Sequence, residues 1–400
     1  MTPLLLRHFT ATSCIGRGLQ ATLDSLRAQR SGLTPCAFET VTLDTHIGEV
    51  PAVDDIVLPA ALRNFDCRNN RLAQLGIVQD DFRDSVAASA GRWGSRRVGL
   101  FLGTSTSGIL ETEIAYRRRD PATGALPADF DYAGTHNSYS LAAFVRQVLD
   151  LEGPSAVVSS ACSSSAKVFG AAQRMIAAGL IDAAVVGGVD TLCLTTLYGF
   201  HSLQLVSRAP CKPFDIARDG ISIGEAAAFA LVERVPESLD GDAILLRGVG
   251  ESSDAYHMSS PHPEGRGARA AMLQALAGAG LNATDIDYVN LHGTGTPSND
   301  SAEGKAVASV FADRGRAVEA SSTKGATGHT LGAAGALEAV ICALSLRHEL
   351  LPGSANTQQV DAPEGLDYLC ANRYRPIARV LSNSFGFGGS NCALVLGRAQ

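Results

Sequence analysis

The chain has no CxxC pair, and its nine cysteines, Cys14, Cys36, Cys67, Cys162, Cys193, Cys211, Cys342, Cys370 and Cys392, form no ligand-like cluster with histidine. An odd, scattered count argues against a disulfide framework and against a structural zinc site. Most of these cysteines are expected to be small buried hydrophobes. GxxxxGK[ST] does not occur and no GxGxxG stands at a strand-to-helix junction, so neither familiar phosphate cradle is expected. No apolar run reads as long enough to span a bilayer. The opening MTPLLLRHFTATSC carries too short an apolar stretch for a secretory signal, so the expectation is a cytoplasmic protein without a membrane span. Charged residues make up only 18%, and a formal net charge of −7 disfavours wholesale nucleic-acid binding.

What is present is apolar and ordered in pattern. The 400 residues are 46% hydrophobic, enough for an extensive core, and the 41 glycines sit between apolar runs rather than in a low-complexity tract. Short, nearly continuous apolar runs read as strands at 96–103, 155–160, 183–190, 228–234, 243–252 and 287–293, with RVLSNSFG and NCALVLG as a closing pair. Helical patterns fall at 19–27, 141–151, 163–178, 268–277 and 333–346. Strands of this kind separated by helices imply sheets covered on both faces, an α/β architecture. The polar VPESLDGD (235–242) is the candidate boundary, dividing the chain into 1–238 and 239–400, although no crisp repeat between the halves is countable. RRRDPATGALPADFDYAG (117–134) reads as a solvated, charged insertion.

Four stretches carry side chains suited to chemistry. In VVSSACSSSAKVFGAAQRMIAAG an apolar strand runs into Cys162 and then a helix, placing the thiol among the exposed N–H groups of a helix start, which lower a thiol's pKa. Alone, this pattern equally fits a buried structural cysteine. VNLHGTGTPSND sets His292 at a strand's C-terminal end, where open α/β sheets bind ligands, with Thr294 and Thr296 beyond it. In SSTKGATGHTLGAAGALEAVICALSL, Lys324 and His329 precede a helix whose only charge is Glu338. A carboxylate buried in such a helix needs a partner, and Lys324 is the nearest cation in sequence, so a Lys–Glu pair beneath His329 is expected. SNSFGFGGSNCALVLG is a glycine-rich loop able to present N–H groups to an oxyanion and to move for substrate.

These stretches, with RVGLFLGTSTSG, FDIARDGISIGEAA and SSDAYHMSSP, closely resemble the elongating β-ketoacyl-acyl carrier protein synthases of fatty acid and polyketide synthesis, from about residue 32 to the final strand. The resemblance implies a thiolase-like fold, with two pseudo-duplicated halves stacked as five layers, α-β-α-β-α. It implies that Cys162 takes the acyl group and that His292 and His329 stabilise the enolate of a decarboxylating malonyl thioester. The N–H groups of Cys162 and Phe387 would form an oxyanion hole, and Phe387 would gate the acyl pocket. Lys324 would orient the His329 region and pair with Glu338. Thr294 and Thr296 would bind the pantetheine arm, with Phe385, Gly388 and Ser390 also in the substrate-binding set. No cofactor is implied beyond the phosphopantetheine that arrives on the acyl carrier protein.

The paired histidines resemble the elongating rather than the initiating enzymes, and the intact cysteine distinguishes the chain from the family's catalytically idle chain-length partners. ACSSSAK, GEAAA (224–228) and GGSN depart from the common fatty acid enzymes, and ACSSSAK is closer to polyketide and aryl polyene ketosynthases. The implied assembly is a homodimer or a heterodimer with a non-catalytic homologue that sets chain length. Carrier proteins are acidic and this chain is net negative, so docking requires a local basic patch, with Arg63, Arg68, Arg71 and Arg208 as candidates.

Overall fold

The computed structural model describes residues 1–239 and 241–399, so Asp240, within the expected boundary stretch, lies outside the described residues. The first part of the chain contributes strands β1 (Leu4–Ser13), β2 (Val98–Gly103), β3 (Ser155–Val158), β4 (Ala183–Asp190) and β5 (Ala226–Arg234). The second contributes β6 (Ile244–Ser253), β7 (Tyr288–Asn290), β8 (Val318–Ser321), β9 (Leu366–Tyr368), β10 (Arg379–Gly386) and β11 (Ser390–Arg398). They join in the order β9-β8-β7-β10-β11-β6-β1-β5-β4-β2-β3.

The order is symmetric about the β1–β6 pair. Outward from β1, the neighbours β5 and β4 join antiparallel and β2 and β3 parallel. Outward from β6, β11 and β10 join antiparallel and β7 and β8 parallel. The symmetry reaches single residues. The LLLR of β1 and the ILLR of β6 pair antiparallel, and each strand's ladder shifts register at its arginine, Arg7 in one and Arg247 in the other. The opening run, too short for a secretory signal, is a ten-residue strand at the centre of the assembly.

Alternation along the strands divides the core. On β2, Leu100 and Leu102 point into an outer cluster with Leu72, Phe144 and Phe229, while Phe101 points into a central cluster. On β11, Leu394 and Leu396 face the centre, and Ala393 and Val395 face a second outer cluster with Met272 and Val307. The helices follow. Helices α1 (Arg68–Ile77) and α2 (Tyr139–Val148) cover the first outer face, and α5 (Arg266–Ala279) and α6 (Pro297–Val310) the second. Between the two sheet halves lie α3 (Ser164–Ala177) and α7 (Ala334–His348), packed on each other and on strands of both halves. This is the five-layer, thiolase-like arrangement.

Helix α7 is buried on every side through Leu346, a stretch in which Glu338 is the one charged residue. With its entering turn it forms Leu331–His348, which by length and hydropathy is long enough to cross a bilayer, contrary to the sequence expectation. That stretch is 89% buried within the protein, so its apolar length belongs to the core. All nine cysteines are free and six are buried. The charged insertion is an exposed loop between the helix Ile109–Arg117 and the wide turn Tyr132–His136.

Candidate active site

The turn that enters α3 and the segment that leads into α7 meet at one cavity, through Cys162 and His329. Strand β3 stops at Val158, and a tight turn brings Cys162 to the head of α3 with Ala161 held in the left-handed region at φ 54°. The serines fasten this turn. Ser160 N–H donates to Ser164 Oγ (2.9 Å), Ser163 Oγ to Ser160 O (3.0 Å), and Ser165 Oγ accepts the Ala336 N–H of α7 (2.9 Å). The neighbours are small because the contact is close: a Cβ on Gly103 would lie 2.4 Å from the Ser165 nitrogen.

Cys162 is buried and, with His292 and His329, offers ligand-type atoms within 4.8 Å of one another. The two imidazole rings meet edge to face with centroids 5.2 Å apart, and Phe385 stands 5.8 Å from His292. Leu331 N–H donates to Nδ1 of His329 (3.1 Å). Nδ1 of His292 faces the Lys324 ammonium at 3.4 Å. Each Nδ1 is thus an acceptor, which puts the ring proton on Nε2. Two N–H donors then face the cavity. That arrangement suits a developing oxyanion and opposes a metal ion, which needs a lone pair from each ring. Burial, followed by the Lys324 charge, holds both histidines well below the usual range, so both are neutral at pH 7; for His292 the neighbouring His329 adds to the effect.

Lys324 pairs with Glu338, as expected, but its place differs from expectation. Its Nζ donates to Glu338 Oε1 and to the backbone oxygen of His292 (2.6 Å), so it braces His292 rather than His329. His329 is set by its backbone, its N–H donating to Ser222 O (2.7 Å) and its carbonyl accepting from Gly224 (3.0 Å). Burial pushes Glu338 up to about 7 against the pull of Lys324.

The thiol also departs from expectation. Burial pushes Cys162 up to about 12, and Asp190 acts in the same direction. Lys324 and the N–H groups of Phe387 and Cys162 pull it down without prevailing, so enclosure outweighs the helix start in this closed state. Those two amides converge on the sulfur, where an oxyanion hole for an acyl group on Cys162 would need them.

The loop holding Phe387 is closed. Phe387 packs on Phe200 of helix α4 (Leu194–Ser202), with ring centroids 5.5 Å apart. Gly388 and Gly389 adopt φ of 75° and 73°, the left-handed region glycine favours. The cavity measures about 60 Å³ and is lined by Cys162, both histidines, Thr294, Thr296, Phe385 and Phe387, among others. Ligand pockets commonly run roughly 300–1,000 Å³, so a pantetheine-borne chain enters only if the loop moves. Thr294 and Thr296 share a hydroxyl hydrogen bond of 2.9 Å in the wall. Gly388 and Ser390 do not line the cavity. Gly388 N–H donates to Met258 O (2.7 Å), and Ser390 Oγ lies 3.3 Å from Ser163 Oγ.

Three carboxylates that sequence reasoning missed hold the site from behind. Glu303 accepts the N–H groups of His292 and Gly293 (2.7 Å each) and Asn383 Nδ2 (3.1 Å); burial pushes it up to about 7. Asp300 accepts the N–H groups of Thr294 (3.0 Å) and Phe214 (2.8 Å). Asp190 fastens the loop after β2. The available signal was an acid at the end of an apolar strand, or on the small-residue face of α6.

Of the candidate docking arginines, Arg68 is a correction. It is 2% exposed, forked onto Glu225 at 2.7 and 2.9 Å, and also paired with Asp54 and Glu49. Its helix faces the core, and its charge ties α1 to the turn before β5. Arg71 is paired with Asp66 (2.6 Å), whereas Arg63 and Arg208 are exposed.

Residues 76–238 match the β-ketoacyl synthase N-terminal domain and residues 244–358 its C-terminal domain. The chain belongs to the β-ketoacyl synthase family. It is 35% identical over 332 residues to nodulation protein E of Rhizobium meliloti, covering 81% of this chain and 82% of that protein. It is 38% identical over 260 residues to 3-oxoacyl-[acyl-carrier-protein] synthase 2 of Coxiella burnetii, and that match spans 62% of this chain and 63% of the relative. A solved complex of the ketosynthase ApeO with its chain length factor ApeC from Xenorhabdus doucetiae contains a chain 36% identical, with a TM-score of 0.88 covering all of this chain and 98% of that one.

Proposed function

We propose that this protein is a β-ketoacyl-[acyl carrier protein] synthase acting through Cys162. The observation that carries the reading is the convergence of one thiol, two Nε2–H donors and two backbone amides on a single closed cavity. In the first step Cys162 attacks a carrier-bound acyl thioester. The new C–S bond forms as the pantetheine sulfur leaves, and the proton Cys162 gives up ends on that departing thiol. The N–H groups of Cys162 and Phe387 hold the oxyanion between.

A malonyl thioester then occupies the cavity with its carbonyl oxygen against His292 and His329. Its C–CO2 bond breaks, CO2 leaves, and the electron pair passes into an enolate that the two N–H donors stabilise. The carbanion attacks the acyl group on Cys162 and expels the thiolate, which regains a proton from solvent. Lys324 and Glu338 keep His292 placed, Thr294 and Thr296 bond the pantetheine arm, and Phe385 supports the imidazole. The chemistry needs no cofactor beyond the carrier's phosphopantetheine.

The partner set follows from the same reading: an acyl carrier protein docking near Arg63 and Arg208, in a cytoplasmic setting. A second, homologous subunit joins at β3, an edge strand with one neighbour in the sheet and Ala156 exposed. The ApeO relative is named with a chain length factor, and ACSSSAK points the same way, which supports a heterodimer in polyketide or aryl polyene synthesis. The two halves divide at 238/239. An idle acyl-binding subunit is not favoured, since every reacting group is in place. Incubation with acyl- and malonyl-carrier proteins tests the reading: β-ketoacyl-carrier protein is expected, Cys162→Ala should abolish it, and full activity in that variant would overturn the assignment.

A further inference from the structure

Asp190 closes β4 as a fully buried carboxylate that the reaction above does not use. Its Oδ1 accepts from Thr104 Oγ1 (2.8 Å), Ser105 N–H (2.8 Å), Thr106 N–H (2.8 Å) and Thr106 Oγ1 (2.7 Å). Its Oδ2 accepts the Ala333 N–H (3.1 Å). All five donors are neutral groups, and those from Thr104, Ser105 and Thr106 pull against the burial that raises the carboxyl above its ordinary range.

Two of these contacts lead to the reacting atoms from opposite halves. Ser105 Oγ donates to the carbonyl of Ala161 (3.4 Å), the left-handed residue before the nucleophile. Ala333 closes the turn Leu331–Ala333, whose first amide fixes Nδ1 of His329. The two sides meet so closely that a Cβ on Gly332 would lie 2.7 Å from Ser105 Oγ and 2.8 Å from Asp190 Oδ2. The other charged or titratable groups around Cys162 are accounted for. Lys324 is paired with Glu338, the two imidazoles are neutral, Asp254 lies in the cavity wall, and Lys167 on α3 faces Glu251 at 3.8 Å.

We propose that Asp190 is a positioning residue that locks the Cys162 turn to the His329 segment, one carboxyl group accepting from both. The proposal rests on the reading of Cys162 as nucleophile and His329 as enolate donor.

The test measures two half-reactions in the full chain: acyl transfer from an acyl-carrier protein to Cys162, read by peptide mass, and malonyl-carrier decarboxylation. Asp190→Asn should slow both by roughly tenfold at unchanged KM for either carrier, because it loosens both sides of the lock. Ser105→Ala removes only the hydroxyl that holds the Ala161 carbonyl, so it should slow acyl transfer and leave decarboxylation unchanged. That pattern supports the proposal; Asp190→Asn slowing neither half-reaction, or only one, overturns it. If Asp190→Asn does not fold, Ser105→Ala decides alone, slowed acyl transfer with intact decarboxylation supporting and two unchanged rates overturning. Absence of acyl transfer to wild-type Cys162 would remove the reading of the nucleophile, whereas wild-type transfer with unaffected variants would overturn the lock alone.

Discussion

The Lys324 ammonium lies 3.4 Å from Nδ1 of His292 and donates to that residue's own carbonyl at 2.6 Å. The lysine therefore acts through the imidazole and not on substrate. Its pairing with Glu338 in the interior makes the two residues one unit, because either charge left alone there is costly. Lys324→Ala should destabilise the protein by about 3–5 kcal/mol in chemical denaturation. Lys324→Met with Glu338→Leu should restore most of that stability and still leave malonyl decarboxylation impaired. Recovery of decarboxylation together with stability would show that the lysine does nothing for His292.

The histidines give a pH signature with a definite sign. Both are held below the usual imidazole range by burial, so the unfolded chain binds protons that the folded protein does not. Stability is then full above the unfolded value near pH 6.5 and falls as the pH drops below it, by up to about 1.4 kcal/mol per unit for each ring. Denaturation midpoints at pH 7.5 and 5.5 measure this, and His292→Asn with His329→Asn should flatten the difference. Malonyl decarboxylation should show no acid limb at pH 6.5.

Phe387 and Phe200 close a cavity too small for an acyl chain. Phe387→Ala should raise the rate of Cys162 acylation by long-chain acyl carriers and weaken discrimination by chain length. Unchanged rates across a panel of chain lengths would place the gate elsewhere.

Arg68 and Arg208 should separate cleanly. Arg68→Ala leaves Glu225 buried without its forked partner and should cost about 3–5 kcal/mol of stability. Arg63→Glu and Arg208→Glu should leave stability unchanged and raise KM for the carrier, more so at low salt.

How much of this was legible in the sequence depended on where each residue's partner lies. Glu338 could be read because it is the only charge in the apolar run 333–346 and a lysine stands nearby. The strands 183–190 and RVLSNSFG coincide with β4 and β10 because continuous apolar runs mark strands buried on both faces. Asp190, Glu303 and Asp300 were not legible, since much of their bonding is to backbone amides, which leave no mark in a side-chain pattern. Helix α1 was missed because RNNRLAQLGI opens with polar residues, and the structure buries Arg68, Asn69 and Asn70. The repeat between the halves leaves little in the sequence beyond LLLR and ILLR, and shows in the matching strand order and register shifts. The direction of the thiol's shift was misjudged because a helix start can be read from sequence and the depth of burial around it cannot.

The central claim is that Cys162 carries the acyl group. Intact mass after mixing with an acyl-carrier protein, followed by peptide mapping, measures this directly. The account predicts one acyl group per active chain on the Cys162 peptide, discharged when malonyl-carrier protein is added. An unmodified Cys162 peptide, or an acyl group that malonyl-carrier protein does not discharge, would contradict it.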